Sequence, residues 1–239
     1  MNSILSFVYP FGHFSLALME GILLGWAIRL WLRANSLAMI VLPIVLVSLG
    51  YDNLVLAMGR VIGEGELLIK LSAVRFYLHG IVIPLFIVIG IELSHRAGAV
   101  WANRVTRVLS WLFALGLAAI PFVTNSAGLD LIPVTFAGVL RYKLATVKGP
   151  PIITIVVNLF VFAISIGLWF RLRWRWLFAG TAIALIGNAI PSVLVGTLPG
   201  SASEFVLALC LLLTERRTRT ERRTSGDRSV GAGSPLPGI

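Results

Sequence analysis

The chain has 239 residues, of which 58% are hydrophobic and 13% charged. A soluble domain carries about a quarter charged residues, so a water-soluble core of this size is excluded. The formal net charge of +10 invites a nucleic-acid reading. The basic residues, however, sit at the ends of apolar stretches and in a terminal run. Control of topology and attraction to membrane lipids explain them, and no nucleic-acid partner is expected.

Seven apolar stretches follow in chain order: 10–32, 36–58, 67–93, 106–123, 152–170, 175–197 and 202–214. Most reach the roughly 20 residues needed to cross a bilayer core. With connections this short, neighbouring helices must run antiparallel. The predicted fold is an all-α integral membrane protein, a seven-helix bundle over residues 1–214.

The start, Met1 to Phe14, lacks the basic region of a cleavable signal peptide, so stretch 1 reads as a retained helix. His13 and Glu20, seven apart, share one of its faces, and Gly21 and Gly25 permit close helix approach. Stretches 2 and 3 form a hairpin, Tyr51 to His79, that holds the densest set of polar groups. Gly59, Gly63 and Gly65 mark its turn, beside Arg60, Glu64 and Glu66. Folding the hairpin there brings Asp52 and Asn53 level with Ser72, within a turn of Arg75, and predicts an Asp52–Arg75 ion pair. Ser72, Arg75 and His79 share a face. His79 lies inside the apolar stretch and requires a partner, which Asp52 or Glu20 could supply.

Glu92, His95 and Arg96 at the far end of stretch 3 read as a head-group-level ion network. The longest connection, Thr124 to Pro151, has apolar content suited to an interfacial segment that covers the bundle. Gly187, Asn188 and Pro191 predict a kink in stretch 6. Glu204 opens stretch 7 beside Ser201 and Ser203, where a helix N-terminus would favour its charge. The single cysteine, Cys210, allows neither an intramolecular disulfide nor a cysteine metal site; no metal and no cofactor are expected. From Glu215 to residue 239 the apolar content falls away, and the sequence predicts a disordered basic cytoplasmic tail.

Fourteen of the 20 Lys and Arg lie on one side: Arg29, Arg33, Arg96, Arg104, Arg107, Arg171, Arg173, Arg175 and six in the tail. Under the positive-inside rule the N-terminus is outside and the C-terminus cytoplasmic, in the plasma membrane of a bacterium. The outer half then holds Asp52, Glu64, Glu66, Asp130, Glu204, His13 and His79, with Glu20 near the middle. That bias points to an outward-facing polar site.

No H-E-x-x-H, D-x-x-D or G-x-S-x-G occurs, so the common zinc, prenyl-diphosphate and serine-nucleophile signatures are absent. In size and acid placement, with Glu64 or Glu66 after stretch 2 and Glu204 in the last helix, the chain looks like the small seven-helix integral membrane terpene cyclases. That likeness, which includes no shared motif, implies proton-initiated cyclisation by acidic residues. The residues themselves predict a cavity that acts on or binds a lipidic or isoprenoid small molecule. His79 and Asp52 would exchange protons, and Glu20, Glu64, Glu66 and Glu204 are candidate acids. Arg75, Asn53, Arg60 and Ser72 would contact the ligand. A proton-coupled transporter and a non-catalytic membrane assembly subunit are the alternatives.

Overall fold

The computed structural model describes residues 3–33, 36–126, 128–145 and 151–231, with side chains from residue 4 to 221 within these. The chain runs α1 (Ser3–Leu32), α2 (Leu37–Ile62), α3 (Glu66–Val82), α4 (Leu85–Arg96) and α5 (Arg104–Thr124). A hairpin of β1 (Leu131–Phe136) and β2 (Val139–Leu144) follows, then α6 (Ile152–Leu172), α7 (Trp176–Ala189), α8 (Ser192–Val195) and α9 (Leu198–Gly231). Six spans are long and apolar enough to cross a membrane: Ile4–Leu32, Leu37–Ile62, Glu66–Arg96, Arg104–Thr124, Ile152–Leu172 and Leu198–Glu221. The third joins α3 and α4, which part at Pro84 because proline lacks the amide hydrogen that would continue the ladder.

α2 is the hub. It packs against α1, α3, α4, α9 and β2, while α7 lies between α6 and α9 and α5 packs mainly on α3 and α4. Leu42, Leu46, Leu49, Phe86, Ile89, Leu207 and Leu211 are fully buried and fill the middle of the bundle. In a bilayer the hydrophobic effect no longer favours helix over lipid contact, so close packing of such side chains has to hold the helices together. Small residues serve the same end: Gly180 faces Cys210 and Gly187 faces Ser203, which lets α7 lie close on α9.

Two expectations change. Stretch 6 is not a helix of membrane-spanning length. α7 has 14 residues and ends at Ala189, because Ile190 precedes Pro191 and adopts the extended backbone such a position prefers. Gly196, at a φ of 71°, then turns the chain from α8 into α9. The break expected at Glu215 is not a break either: α9 stays helical to Gly231, and Glu215 and Thr218 are fully buried. Polar sequence was read as solvated there, but bonds to the other helices hold it in place. The remainder of the tail, 232–239, lies outside the described residues.

Within the long connection the described residues include a β-hairpin. β1 and β2 pair antiparallel, with Phe136 opposite Val139, around a two-residue turn in which Ala137 and Gly138 both have positive φ. This hairpin lies against α1, α2 and α3. Leu140 and Tyr142 pack with Val55 and Leu68 in a small second core, and the Tyr142 hydroxyl accepts from the Gly65 amide at 3.3 Å. Gly59 makes the approach possible, since a Cβ there would strike the Leu140 carbonyl oxygen.

Candidate functional site

Four helices and the hairpin bring a polar cluster together at the end of the bundle that the hairpin covers. On α2, Asn53 is buried and its amide nitrogen donates to both Glu20 carboxylate oxygens, at 3.0 and 3.1 Å. Its carbonyl oxygen is therefore the acceptor for the Nδ1–H of His13, 2.7 Å away. The other imidazole nitrogen lies 2.9 Å from the Thr197 hydroxyl, in the link between α8 and α9. Glu20 and His13 are both fully buried, so α1, α2 and the start of α9 are joined by one chain of polar contacts. The seven-residue spacing of His13 and Glu20 was visible in the sequence; Thr197 gave no signal, because it lies in a turn that only the fold positions.

The second line of groups runs along α3. Arg75 Nη1 donates to Asp52 Oδ1 at 3.4 Å, the pair that the hairpin geometry predicts. Arg75 Nη2 donates to the Tyr142 carbonyl at 3.2 Å, so β2 also holds the guanidinium. His79 finds neither of its expected partners. Its Nε2 lies 3.8 Å from Glu204 Oε1 on α9. Glu204 is buried six residues into α9, beyond the first turn where the helix N-terminus would account for its charge.

Charge couples the two lines. The Asp52 carboxylate is felt at His13, Glu20, His79, Arg141 and Glu204, and the Arg75 charge at His13, His79 and Arg141. Arg141, on β2, is half-buried and touches the Ser192 hydroxyl at 3.5 Å. Burial and the neighbouring Arg75 charge push its guanidinium down to about 10. Sequence reading passed over Arg141 because a loop arginine carries no periodicity.

Three expected members stand apart. Arg60, Glu64 and Glu66 are exposed on the α2–α3 turn, and Glu66 pairs with Lys70 one turn along α3 at 2.6 Å. The turn glycines carry these side chains outward, past the end of the bundle. With them goes half of the likeness in acid placement, since Glu204 remains inside and its counterpart after stretch 2 does not. Asp52, Asn53, Ser72, Arg75, His79, Glu20 and Glu204 stay in or beside the cluster.

An apolar groove of about 560 Å³ crosses the outside of α2 between α1 and α3, lined among others by Leu24, Pro43, Val47, Ser48, Leu78 and Val82. Leu24 is one turn from Glu20, Ser48 one turn from Asp52, and Leu78 adjoins His79. The groove itself is lined by apolar side chains and Ser48, with none of the cluster's ionisable groups among them. No protein family, curated protein or solved structure matches this chain. What it shares with other proteins is its class: a bundle of helices long and apolar enough to cross a membrane.

Proposed function

We propose that this is a protein of a bacterial plasma membrane, N-terminus outside, in which the short α7 together with α8 makes a seventh crossing beside the six long spans. Its covered polar end would be an acid–base site that acts on or binds a lipidic or isoprenoid small molecule. The observation that supports this reading is that groove-lining residues on α1, α2 and α3 lie within a turn of cluster residues on the same helices. A hydrocarbon chain lying along Val47 and Val82 would then bring its head toward the end of the groove nearest Glu20, Asp52 and His79. Of the three carboxylates there, only Asp52 has a guanidinium partner, Arg75; Glu20 and Glu204 have none. An uncompensated charge at this depth is costly, so these two acids would hold protons that a ligand can take. His79 and Glu204, 3.8 Å apart, would be the pair to pass one, and that separation would have to shorten for the transfer. Asn53 orients Glu20 as a second acid, and Asp52 holds Arg75.

The transporter alternative requires polar access from both ends. Between Glu204 and Glu215 on α9 the fully buried positions are Leu207, Ala208, Leu211, Leu212 and Thr214, and on α2 from Leu42 to Leu49 the one buried polar residue is Ser48. Among the described residues no buried ionisable group lies between the two ends on these faces, which favours a one-sided site.

The test is to purify the full chain in mild detergent, identify co-purifying lipids by native mass spectrometry, and compare lipid extracts of cells expressing Glu20→Gln, Glu204→Gln or the unchanged protein. A lipid bound by the unchanged chain, and accumulating in the variants, is the expected result. Identical extracts and a lipid-free protein would end the proposal. Sidedness is checked separately: a cysteine at Ser3 should label in intact cells and one at Ser225 should not.

A further inference from the structure

Among the described residues five buried side-chain atoms lack a partner, and two of them, both on α3, belong to the polar cluster. Ser72 Oγ and Arg75 Nε are enclosed without a hydrogen bond, one turn apart on the same helix face. Buried polar atoms are nearly always bonded in native proteins, so two orphans side by side mark a place where a partner belongs. The partner's charge can be read from the surroundings. Arg75 gives one of its bonds to Asp52 and one to the Tyr142 carbonyl, a neutral acceptor that a stronger one can replace. Arg141 lies close enough to feel the Arg75 charge, and among the described residues it has no carboxylate partner; its one side-chain contact is the Ser192 hydroxyl. Two guanidiniums with a single close carboxylate between them leave a positive charge unmatched, beside an unused N–H and an unused O–H.

Building on the lipid-site reading, we propose that Ser72, Arg75 and Arg141 form a recognition site for a phosphoryl anion, the phosphate or diphosphate head of the molecule whose chain occupies the groove. Guanidinium matches phosphoryl oxygens through paired N–H donors, which a carboxylate-poor arginine pair is suited to supply. The hydroxyl of Ser72 adds a neutral donor that tolerates the charge without repelling it. β2 closes this site, because Tyr142 holds Arg75 while Arg141 rides on the same strand. Anion entry therefore displaces the Tyr142 carbonyl from Arg75 Nη2.

The test uses the full chain, with thermal stabilisation as the readout, in two arms. Inorganic pyrophosphate is titrated against protein in neutral detergent. In parallel, nanodiscs of phosphatidylcholine are compared with nanodiscs containing phosphatidic acid. Stabilisation by pyrophosphate assigns an anion taken from water, and stabilisation by phosphatidic acid alone assigns a lipid head group; either supports the proposal if Arg141→Gln weakens it about tenfold or more. Ser72→Ala removes an atom with no protein partner, so it should fold normally and still weaken the anion severalfold. Lys70→Gln, a basic residue on the exposed face of α3, should leave the affinity unchanged. No stabilisation in either arm, or equal stabilisation of the unchanged, Arg141→Gln and Ser72→Ala proteins, overturns the site. The outcome is separable from the lipid reading. A neutral co-purified lipid that responds to Glu20→Gln sinks the phosphoryl site alone. Anion binding that depends on Arg141, with lipid extracts indifferent to Glu20 and Glu204, keeps the site and removes the acid–base role.

Discussion

The two ends of the bundle use the same residue types in opposite ways. At the arginine-rich end every buried carboxylate has a close cation. Glu92 meets Arg107 at 2.6 Å, and Glu215 meets Arg219 at 2.8 Å and Arg96 at 3.2 Å, with the Ser36 hydroxyl donating to it as well. Arg219 also donates to the Leu30 carbonyl at the end of α1, and Trp174 to Thr214 at 3.1 Å. These bonds link α1, α4, α5 and the loop before α7 to the last helix. At the hairpin end Glu20 has only an amide for a partner, Glu204 has an imidazole at 3.8 Å, and Asp52 has a guanidinium at 3.4 Å. Saturated ion pairs hold elements in place; under the proposed function, the carboxylates without close cations would exchange protons or meet a ligand. The contrast separates architecture from chemistry within a single fold.

The largest effect should come from the saturated end. Glu215→Gln leaves Arg96 and Arg219 without their shared carboxylate in a buried setting, and should cost about 3–5 kcal/mol. A fall in thermal midpoint in detergent measures it, and an unchanged midpoint would mean that the extension of α9 past Glu215 contributes nothing to the bundle.

Arg75→Gln should come next, at about 2–4 kcal/mol, since it strands Asp52 and releases β2. Combining it with Asp52→Asn should recover about 1–2 kcal/mol of that loss, because the double change leaves no unpaired charge. Strict additivity in the four-protein cycle would show that the two groups do not interact across the α2–α3 hairpin.

Gly59→Ala should cost about 1–3 kcal/mol, as its methyl group forces the Leu140 carbonyl away and loosens the β-hairpin. Faster proteolysis between Thr124 and Pro151 would accompany it. A variant as resistant as the unchanged protein would place the strands off α2.

The smallest change in stability should follow Glu20→Gln and Glu204→Gln. Gln can still accept from Asn53 Nδ2, and neither glutamate loses a close cation, so each should shift stability by under about 1 kcal/mol while altering lipid handling. A shift as large as that of Glu215→Gln would erase the distinction between the two ends.

Much of this protein was legible from residue order. Apolar runs of membrane-spanning length mark the helices, because satisfying backbone hydrogen bonds in lipid requires helix and an apolar exterior. The Asp52–Arg75 pair was legible too, since an antiparallel hairpin with a glycine-marked turn fixes which residues share a depth. Periodicity also placed Ser72, Arg75 and His79 on one face. Tertiary structure decided the rest. His79 faces Glu204, 125 positions away in the sequence, and nothing local encodes which helix comes to lie beside α3. Arg141 and Thr197 join the cluster from a hairpin and a turn, elements whose side-chain positions follow from docking rather than from period. Glu64 and Glu66 leave it because the glycines that make the turn also carry it beyond the packed end. Glu215 is buried although its sequence neighbourhood is polar, since complementary groups on α2 and α4 exist only once the bundle has formed. Composition sets the solvent in which a helix can live; packing of distant segments sets which of its charges are paired and which are left free for a ligand.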